Sequence, residues 1–330
     1  MCSSDLADED LQTGSVTESD FDAANGTITS VTGSGDSYTV TVTAIADGAV
    51  RLAPSTDFAV LDIAGNATTT ADGTDRTVTY DATSAMVTLV QAAGQADPAK
   101  NAAIRFTLSS DEALRSGSVT AADFEATNGT VASVAGSGDT YTITVTATAD
   151  GDVSLAPSGD FTVLDIAGNA TTTAGGTDRT VEYDATTPVI TLTQAATQAD
   201  PTLAPTITFT LSSSEPLAAS TVTAADITVG NATDVRVTGT GTTFTITATA
   251  TADGSVSIAP STAFSVEDPA GNAATTAGGT DRTVVYDSTA PQLTLQQAAT
   301  QADPTKVATI RFTLGSDEPI DTATVSADDF

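Results

Sequence analysis

Acidic residues recur along this chain at a constant interval of 103 residues. A complete set has an aspartate after a tyrosine, a later glutamate, and an Asp-x-Ala-Gly-Asn motif that contributes its aspartate and its asparagine; the third set has only the first two members. The members are Asp81, Glu112, Asp165 and Asn169; Asp184, Glu215, Asp268 and Asn272; and Asp287 with Glu318. Carboxylates that gather within a few ångströms repel one another unless a cation neutralises them. Their chemistry therefore depends on whether the fold brings them together.

These residue types are poorly suited to catalysis. The chain has no histidine, and its single cysteine is Cys2. The commonest general bases and nucleophiles are therefore missing. A hydrolase with paired carboxylates remains formally open, but aromatic residues make up only 5% of the chain and offer no sugar subsites. We interpret the chain as non-enzymatic, with no catalytic residue.

The same residue types are well suited to a hard cation. Oxygen ligands without histidine or cysteine select Ca²⁺, which accepts about 6–8 oxygens in flexible geometry. The glycine of each Asp-x-Ala-Gly-Asn motif could turn a backbone carbonyl toward the ion. The alternative is that these are solvated loop charges that hold no metal. Neither EF-hand spacing nor a Gly-Gly-x-Gly-x-Asp repeat is present.

Composition limits the partners. Ten basic residues against 42 acidic ones leave a net charge of −32, which disfavours binding to nucleic acid or to an anionic membrane. No apolar run approaches the roughly 20 residues of a membrane helix, so this fragment is not expected to insert in a membrane. The first ten residues lack the pattern of a signal peptide. A lone cysteine near the end predicts no internal disulfide.

The 103-residue interval is an internal repeat of domain size. The stretch DIAGNATTTAGGTDRTVEYDATTP at 165–188 has related copies that begin at Asp62 and Asp268. Because each unit is longer than a solenoid repeat, we predict a string of domains. The expected boundaries are a partial module at 1–82, complete modules at 83–185 and 186–288, and a partial module at 289–330. Residues 1–6 break the pattern and are interpreted as artefactual, and we expect the chain to be a piece of a longer protein.

Within one repeat the pattern is that of short strands. The segment YTITVTATA at 141–149 alternates apolar residues with threonine, and Ile104, Phe106 and Leu108 alternate in the same way and are expected to point inward. Their equivalents keep the pattern: Ile207, Phe209 and Leu211 in the third repeat, and Ile310, Phe312 and Leu314 in the fourth. Asn128-Gly129 is a strong turn dipeptide between two further strands. Seven or so strands in about 100 residues, without amphipathic helices, predict an all-β fold. We expect tandem antiparallel β-sandwiches of immunoglobulin (Ig) type, without the tryptophan and disulfide of antibody domains.

Strand order suggests where the acidic residues meet. In such a sandwich, the loop after the second strand and the loop before the last strand lie at the pole where the preceding linker enters. We assign Glu112 and Asp165 to those two loops and Asp81 to the linker. The sequence therefore predicts a carboxylate cluster at each joint between repeats.

Three motifs carry a family resemblance. They are Ser-x-Glu-Pro at 213–216 with its variant Asp317-Glu318-Pro319, Asp-x-Ala-Gly-Asn, and Tyr-Asp-x-Thr-x-Pro. Together they resemble the bacterial Ig-like repeats of large secreted or surface adhesins, over essentially the whole chain beyond residue 6. Two positions depart from the pattern, since Ala85 replaces the linker proline and Glu112 is followed by alanine.

The resemblance implies a function. In that family, tandem arrays act as extender stalks, are often stiffened by Ca²⁺ at the linkers, and are commonly exported by type I secretion. It implies an extracellular or bacterial cell-surface location, with neighbouring Ig-like modules of the same chain as partners and an adhesive target that the repeats do not identify. The alternative is an array of weak carbohydrate- or protein-binding modules that acts by avidity.

Overall fold

A computed structural model describes residues 9–71 and 73–330 of the chain. It divides into two compact units, Met1–Asp184 and Ala185–Phe330, which we describe separately. The interpretation of residues 1–6 concerns residues outside the described part. The four predicted module boundaries stay a prediction, since the division into units separates the chain at one point.

The first unit contains fifteen described strands. Those of the first repeat are β1 (Phe21–Ala24), β2 (Gly26–Ser34), β3 (Ser37–Ala44), β4 (Gly48–Pro54), β5 (Val60–Leu61), β6 (Ala67–Thr68) and β7 (Thr77–Tyr80). Those of the second are β8 (Val87–Gln91), β9 (Ala103–Leu114), β10 (Phe124–Thr127), β11 (Gly129–Ala147), β12 (Gly151–Pro157), β13 (Val163–Leu164), β14 (Ala170–Thr171) and β15 (Thr180–Tyr183). Short 3-10 helices span Glu18–Asp20 and Ala121–Asp123.

The second unit repeats the pattern. Its strands are β16 (Ile190–Gln194), β17 (Thr206–Leu217), β18 (Ile227–Gly230), β19 (Ala232–Ala250), β20 (Gly254–Pro260), β21 (Val266–Glu267), β22 (Ala273–Ala274), β23 (Ala277–Gly278), β24 (Thr283–Tyr286), β25 (Leu293–Gln297) and β26 (Phe312–Ser316). Its 3-10 helices are Ala219–Thr221, Ala224–Asp226, Thr322–Thr324 and Ala327–Asp329. No helix among the described residues is long and apolar enough to cross a membrane.

The second repeat forms two antiparallel sheets. One has the order β10-β12-β15 and the other β11-β9-β8. Strand β11 corresponds to the β2–β3 hairpin of the first repeat, so it folds back on itself. The third repeat has the equivalent sheets β18-β20-β24 and β19-β17-β16-β23. The predicted fold class, an all-β chain of antiparallel Ig-like sandwiches, is confirmed.

Alternation along the strands fills the core between the two sheets. Leu89, Ile104 and Phe106 from one sheet are 0% exposed and share a single apolar cluster with Val153 and Val181 from the other. Intervening threonines and Arg105 stay at least partly exposed, as expected for a half-buried strand. The third repeat buries an equivalent cluster that includes Ile207, Phe209 and Leu211. The inward residues predicted for these two repeats are thus confirmed.

A short parallel segment closes the outer edge of β8. Gly175 N–H donates to the Val87 carbonyl at 2.7 Å, and Leu89 N–H donates to the Gly175 carbonyl at 3.0 Å. In the third repeat the same segment is strand β23, which pairs parallel with β16. The alternation of residues in the sequence does not predict this parallel pairing.

Two local predictions were wrong. Residues 110–123 were expected to form a loop, but β9 continues to Leu114, so Glu112 lies near the end of a strand. The extension arises because Leu114 pairs with both Gly138 and Asp165. Ile310 and Phe312 were expected to point into a core, but they are 47% and 63% exposed in the fourth repeat, where β25 and β26 form a two-stranded sheet.

Candidate metal centre

Three carboxylates from distant parts of the first unit meet at one place. Asp81, Glu112 and Asp165 each offer an oxygen, and these oxygens lie within 4.8 Å of one another. Asp81 directly follows β7, Glu112 lies near the end of β9, and Asp165 directly follows β13. The predicted cluster at the first joint is therefore present, with Glu112 on a strand.

The Asp-x-Ala-Gly-Asn motif forms a closed turn around the buried Asp165. One carboxylate oxygen of Asp165 accepts hydrogen bonds from Gly168 N–H at 2.6 Å and Asn169 N–H at 2.9 Å, and the other accepts from Asn169 Nδ2 at 2.8 Å. Gly168 has φ +105°, which a residue with a side chain rarely adopts, and an added Cβ would lie 2.8 Å from the Arg115 guanidinium. The turn thus explains the spacing of the motif without any metal.

Backbone pairing brings this turn to Glu112. Arg115 N–H donates to the Leu164 carbonyl at 2.8 Å, next to the Leu114–Asp165 bridge. At the other side of the cluster, Asp111 accepts from Met86 N–H at 2.7 Å. The end of β9 is therefore tied both to the Asp165 turn and to the start of β8.

The linker is held by side chains from both sides of the joint. Asn169 Nδ2 donates to the carbonyls of Asp81 and Thr83 at 3.1 and 3.2 Å, and Thr171 Oγ1 donates to the Ala85 carbonyl at 2.6 Å. From the first repeat, Asp47 accepts from Ala82 N–H and from Thr83 Oγ1. The joint therefore has a hydrogen-bonded framework of its own.

The cluster is electrostatically unfavourable for Glu112. Burial raises the pKa of Glu112 above its usual range, and the carboxylates of Asp81, Asp165, Asp111 and Asp47 raise it further. Each of these neighbours is negative, so the glutamate gains from any cation at this place.

Asp165 behaves differently, although it is 0% exposed. Burial acts to raise the pKa of Asp165, but the hydrogen bonds from Asn169 and Gly168 outweigh it and hold the pKa below the ordinary value. The pKa shifts of Asp165 and Glu112 therefore have opposite directions, although both carboxylates belong to the same cluster.

The second unit contains parts of the same arrangement. Asp268 is 2% exposed and accepts hydrogen bonds from Gly271 N–H, Asn272 N–H and Asn272 Nδ2 at 2.7–2.9 Å. Glu215 lies on β17, equivalent to Glu112 on β9. Asp184 is the last residue of the first unit, so its predicted cluster with Glu215 and Asp268 stays a prediction.

The last pair, Asp287 and Glu318, lies wholly in the second unit. Burial raises the pKa of Glu318, and the Asp287 carboxylate is the next largest cause. Asp287 follows β24 and accepts from Thr289 N–H at 3.1 Å, just as Asp81 accepts from Thr83 N–H. These two residues thus repeat the relation between Asp81 and Glu112.

Sequence reasoning missed the aspartates that hold the linkers. Asp47 and its equivalent Asp253 were not among the predicted site residues, but both accept hydrogen bonds from the linker that follows them. These bonds lower the pKa of Asp47, chiefly through Thr83, and that of Asp253, chiefly through Thr289. Their 103-residue interval and the threonine of Tyr-Asp-x-Thr were the available signals.

Asn169 and Asn272 were predicted as metal ligands together with the carboxylates. The structure gives both a hydrogen-bonding role, because each side-chain nitrogen donates to the aspartate four residues earlier. Their part in metal binding stays a prediction.

No family model matches the chain, and no curated protein sequence matches it. Among solved structures, invasin, a bacterial integrin-binding protein, aligns at 13% identity with a TM-score of 0.39, over 94% of this chain and 60% of invasin. The Yersinia pseudotuberculosis adhesin InvE aligns at 16% identity with a TM-score of 0.23, over 61% of this chain and 58% of InvE. The chain thus matches no more than about three fifths of the length of either structure.

Proposed function

We propose that this chain is a non-enzymatic section of the stalk of a bacterial surface or secreted adhesin. Its role would be to hold a binding domain away from the cell. The observation that carries the proposal is the meeting of Asp81, Glu112 and Asp165 where one repeat joins the next. The adhesin-type motifs of the repeats support the extracellular setting, where such a joint has calcium available.

We further propose that Ca²⁺ bound by Asp81, Glu112 and Asp165 stiffens the joint. Three oxygens within 4.8 Å of one another can share one ion whose ligands lie at about 2.3–2.6 Å. The donor set is all oxygen, which is the chemistry that Ca²⁺ prefers. When bound, the ion would neutralise the repulsion that raises the pKa of Glu112. Equivalent sites are proposed at Asp184, Glu215 and Asp268, and at Asp287 with Glu318.

The energy of one ion suits a mechanical role. Extracellular modules bind Ca²⁺ at about 10⁻⁴–10⁻³ M, and at ten times the dissociation constant one ion stabilises the bound state by about 1.4 kcal/mol. That is small for a sandwich with a full core, yet it shifts a mobile joint about tenfold toward one geometry. Chelation should therefore loosen the joint and leave the sandwiches folded.

A paired-label measurement tests the joint. With Cys2 replaced by serine, spin labels go on Thr43→Cys and Thr146→Cys, which are exposed, equivalent positions on either side of the first joint. We expect a narrow distance distribution with millimolar Ca²⁺ and a broad one with chelator. In the Glu112→Gln variant the distance distribution should be broad with Ca²⁺ and with chelator. Glu125 is an exposed residue of β10, so the Glu125→Gln variant should respond like the parent. Unchanged distributions, or no calcium in calorimetry, would contradict the calcium proposal.

Small-angle scattering tests the stalk separately. A repeat with strands of about ten residues spans roughly 35–45 Å at about 3.3 Å per residue. We expect a rod whose length grows by that amount when one more repeat is inserted. A compact particle would contradict the stalk, and glycan or protein capture by the repeats themselves would favour the array of weak binding modules.

A further inference from the structure

The middle of the repeated stretch reads AGGTDR, at 174–179 and again at 277–282. The motifs on either side of it, Asp-x-Ala-Gly-Asn and Tyr-Asp, supply the residues of the joints. Residues 174–178 lie instead along the outer edge of β8, and we call them the edge segment. Because β8 is the first strand of the second repeat and the edge segment leads into its last strand, β15, the two ends of the repeat meet here.

Three backbone hydrogen bonds join the edge segment to β8. Gly175 makes two of them, since its N–H donates to the Val87 carbonyl at 2.7 Å and its carbonyl accepts from Leu89 N–H at 3.0 Å. In the third, Gln91 N–H donates to the Asp178 carbonyl at 2.6 Å. The pairing is parallel, so β8 and the edge segment run in the same direction.

A second contact joins the loop after β8 to the end of β15. Ala99 N–H donates to the Glu182 carbonyl at 2.8 Å, and Asp184 N–H donates to the Ala99 carbonyl at 3.0 Å. The Asp97 carboxylate accepts from Glu182 N–H at 2.9 Å. The bridge between Ala99 and Tyr183 is also parallel. The beginning of the repeat is therefore bonded in parallel to its end at two places.

The third repeat has the same bonds 103 residues later. Strand β16 pairs in parallel with β23, and Gln194 N–H donates to the Asp281 carbonyl at 2.7 Å. Thr202 N–H donates to the Val285 carbonyl at 2.9 Å, and Asp287 N–H donates to the Thr202 carbonyl at 2.9 Å. The arrangement thus recurs in both repeats that contain a first and a last strand.

Parallel pairing decides how tension would load these bonds. When the chain is pulled, tension enters the second repeat before β8 and leaves it after β15. In a parallel pair these two loaded ends lie at opposite ends of the pair, so the strands are drawn past one another and their hydrogen bonds are strained together. In an antiparallel pair the loaded ends would lie side by side, and the bonds would break one at a time.

We propose that β8 and the edge segment form a mechanical clamp, a set of hydrogen bonds that tension must break together before the sandwich unfolds. Strands β16 and β23 form the equivalent clamp of the third repeat. The clamp gives each of these repeats a load-bearing function in addition to its length. Its use in a stalk rests on the proposed function, whereas the resistance itself depends only on bonds within one sandwich and needs no calcium.

Arg179 holds the edge segment in its compact form. Its Nη2 donates to the carbonyls of Ala174 and Gly175 at 2.6 and 2.7 Å. In the third repeat, Arg282 Nη2 donates to the Ala277 carbonyl at 2.8 Å. Hydrogen bonds from a charged donor are among the stronger ones. Tension that arrives through β15 is therefore carried to Gly175, because the residues between them cannot extend freely.

Force spectroscopy on single molecules of the full chain tests the clamp with two pairs of attachment points. With Cys2 replaced by serine, Met86→Cys is combined either with Thr180→Cys or with Thr173→Cys, and all three positions are exposed. Met86 directly precedes β8, whereas Thr173 precedes and Thr180 follows the edge segment. Only the chain between the two cysteines carries the force, so the second repeat alone is loaded.

The two pairs of attachment points load the clamp in different ways. Pulling through positions 86 and 180 draws β8 and the edge segment past one another, whereas pulling through 86 and 173 peels them apart from one end. Because forced unfolding follows the unfolding barrier, we expect the first force to be at least about twice the second at one pulling speed. Release of roughly 300 Å of chain, at about 3.3–3.6 Å per residue, identifies the unfolding of this repeat.

Two substitutions at Gly175 test the bond to Val87. A Cβ at Gly175 would lie 3.6 Å from the Val87 carbonyl oxygen, so Gly175→Ala fits and keeps the N–H. Gly175→Pro removes that N–H and places its ring against the carbonyl. We expect Gly175→Pro to lower the force between 86 and 180 toward the force between 86 and 173, and Gly175→Ala to match the parent. Between 86 and 173 all three proteins should unfold at similar forces, because peeling breaks the bonds singly.

All forces are measured in chelator, so the result does not depend on calcium at the joint. Equal forces for the two attachment pairs in the parent would overturn the clamp, and this comparison needs no substitution at Gly175. Equal loss of force in both geometries for Gly175→Pro would also overturn it, since that is a general loss of stability. Scattering judges the stalk separately: a rod with equal forces contradicts the clamp alone, and a compact particle with unequal forces contradicts the stalk alone.

Discussion

At the scale of single residues, two opposing effects act on Glu112: neighbouring carboxylates repel its charge, and a bound cation would attract it. Burial and four neighbouring aspartates raise the pKa of Glu112 in the folded chain. A carboxyl whose folded pKa is raised contributes stability below its unfolded pKa and loses it as the pH rises through the folded value. Without metal at neutral pH, the ionised Glu112 therefore opposes folding.

The effect of Glu112→Gln on the melting temperature should therefore have opposite signs in chelator and in saturating Ca²⁺. In chelator at pH 7 we expect the variant to melt about 1–3 °C above the parent, with the difference vanishing below about pH 4. In saturating Ca²⁺ the parent should be the more stable, because the variant has lost a charged ligand. Calorimetry on both proteins, with Glu125→Gln as control, measures the melting temperatures in each medium and shows whether their order reverses. The same order of melting temperatures in both media would contradict a role of Glu112 at a metal site.

At the scale of elements, the segment that lies along β8 depends on one glycine. Gly176 has φ +99°, and a Cβ at this position would lie 2.2 Å from the Leu89 carbonyl oxygen. The backbone of β8 cannot move away without breaking its pairing with β9. Residues 174–176 can therefore cover the edge of β8 only while this position lacks a side chain.

Gly176→Ala should destabilise the first unit by about 2–4 kcal/mol, from backbone strain and overpacking together. Gly159→Ala is the control, since its Cβ would meet no atom within 4 Å, and it should stay within about 0.5 kcal/mol of the parent. Urea unfolding measures both. Equal midpoints for the two variants would show that the edge segment does not depend on this glycine.

At the scale of the whole molecule, the net charge of −32 acts on every repeat. Raising monovalent salt from about 10 to 150 mM shortens the screening length from about 30 to 8 Å, so long-range repulsion should weaken. We expect the chelated protein to melt a few degrees higher at the higher salt. Tetramethylammonium chloride should act like sodium chloride if screening is the cause. A melting temperature that rises only with sodium would indicate ion binding instead.

Much of the fold was predictable because its strands alternate regularly. Ile143 and Val145 are inward residues of a strand whose threonines partly face solvent, and both are 0% exposed. Phe312 was predicted by the same pattern and is 63% exposed. The alternation of apolar and polar residues predicts which side chains of a strand share its apolar face. Those side chains become buried only where a second sheet packs on that face.

The sequence by itself determined the repeat, the Ig-like strand pattern and the acidic residues that belong together, because a constant interval and a period of two can both be recognised from the order of residues alone. Only the tertiary structure decided that Glu112 lies on β9, that Asn169 holds the carbonyls of the linker, and that Asp47 accepts from Thr83. The hydrogen bonds of Asn169 and Asp47 join residues 36 to 88 positions apart, and which side chain meets which backbone atom depends on how the sheets pack. The spacing of motifs carries no information about that packing.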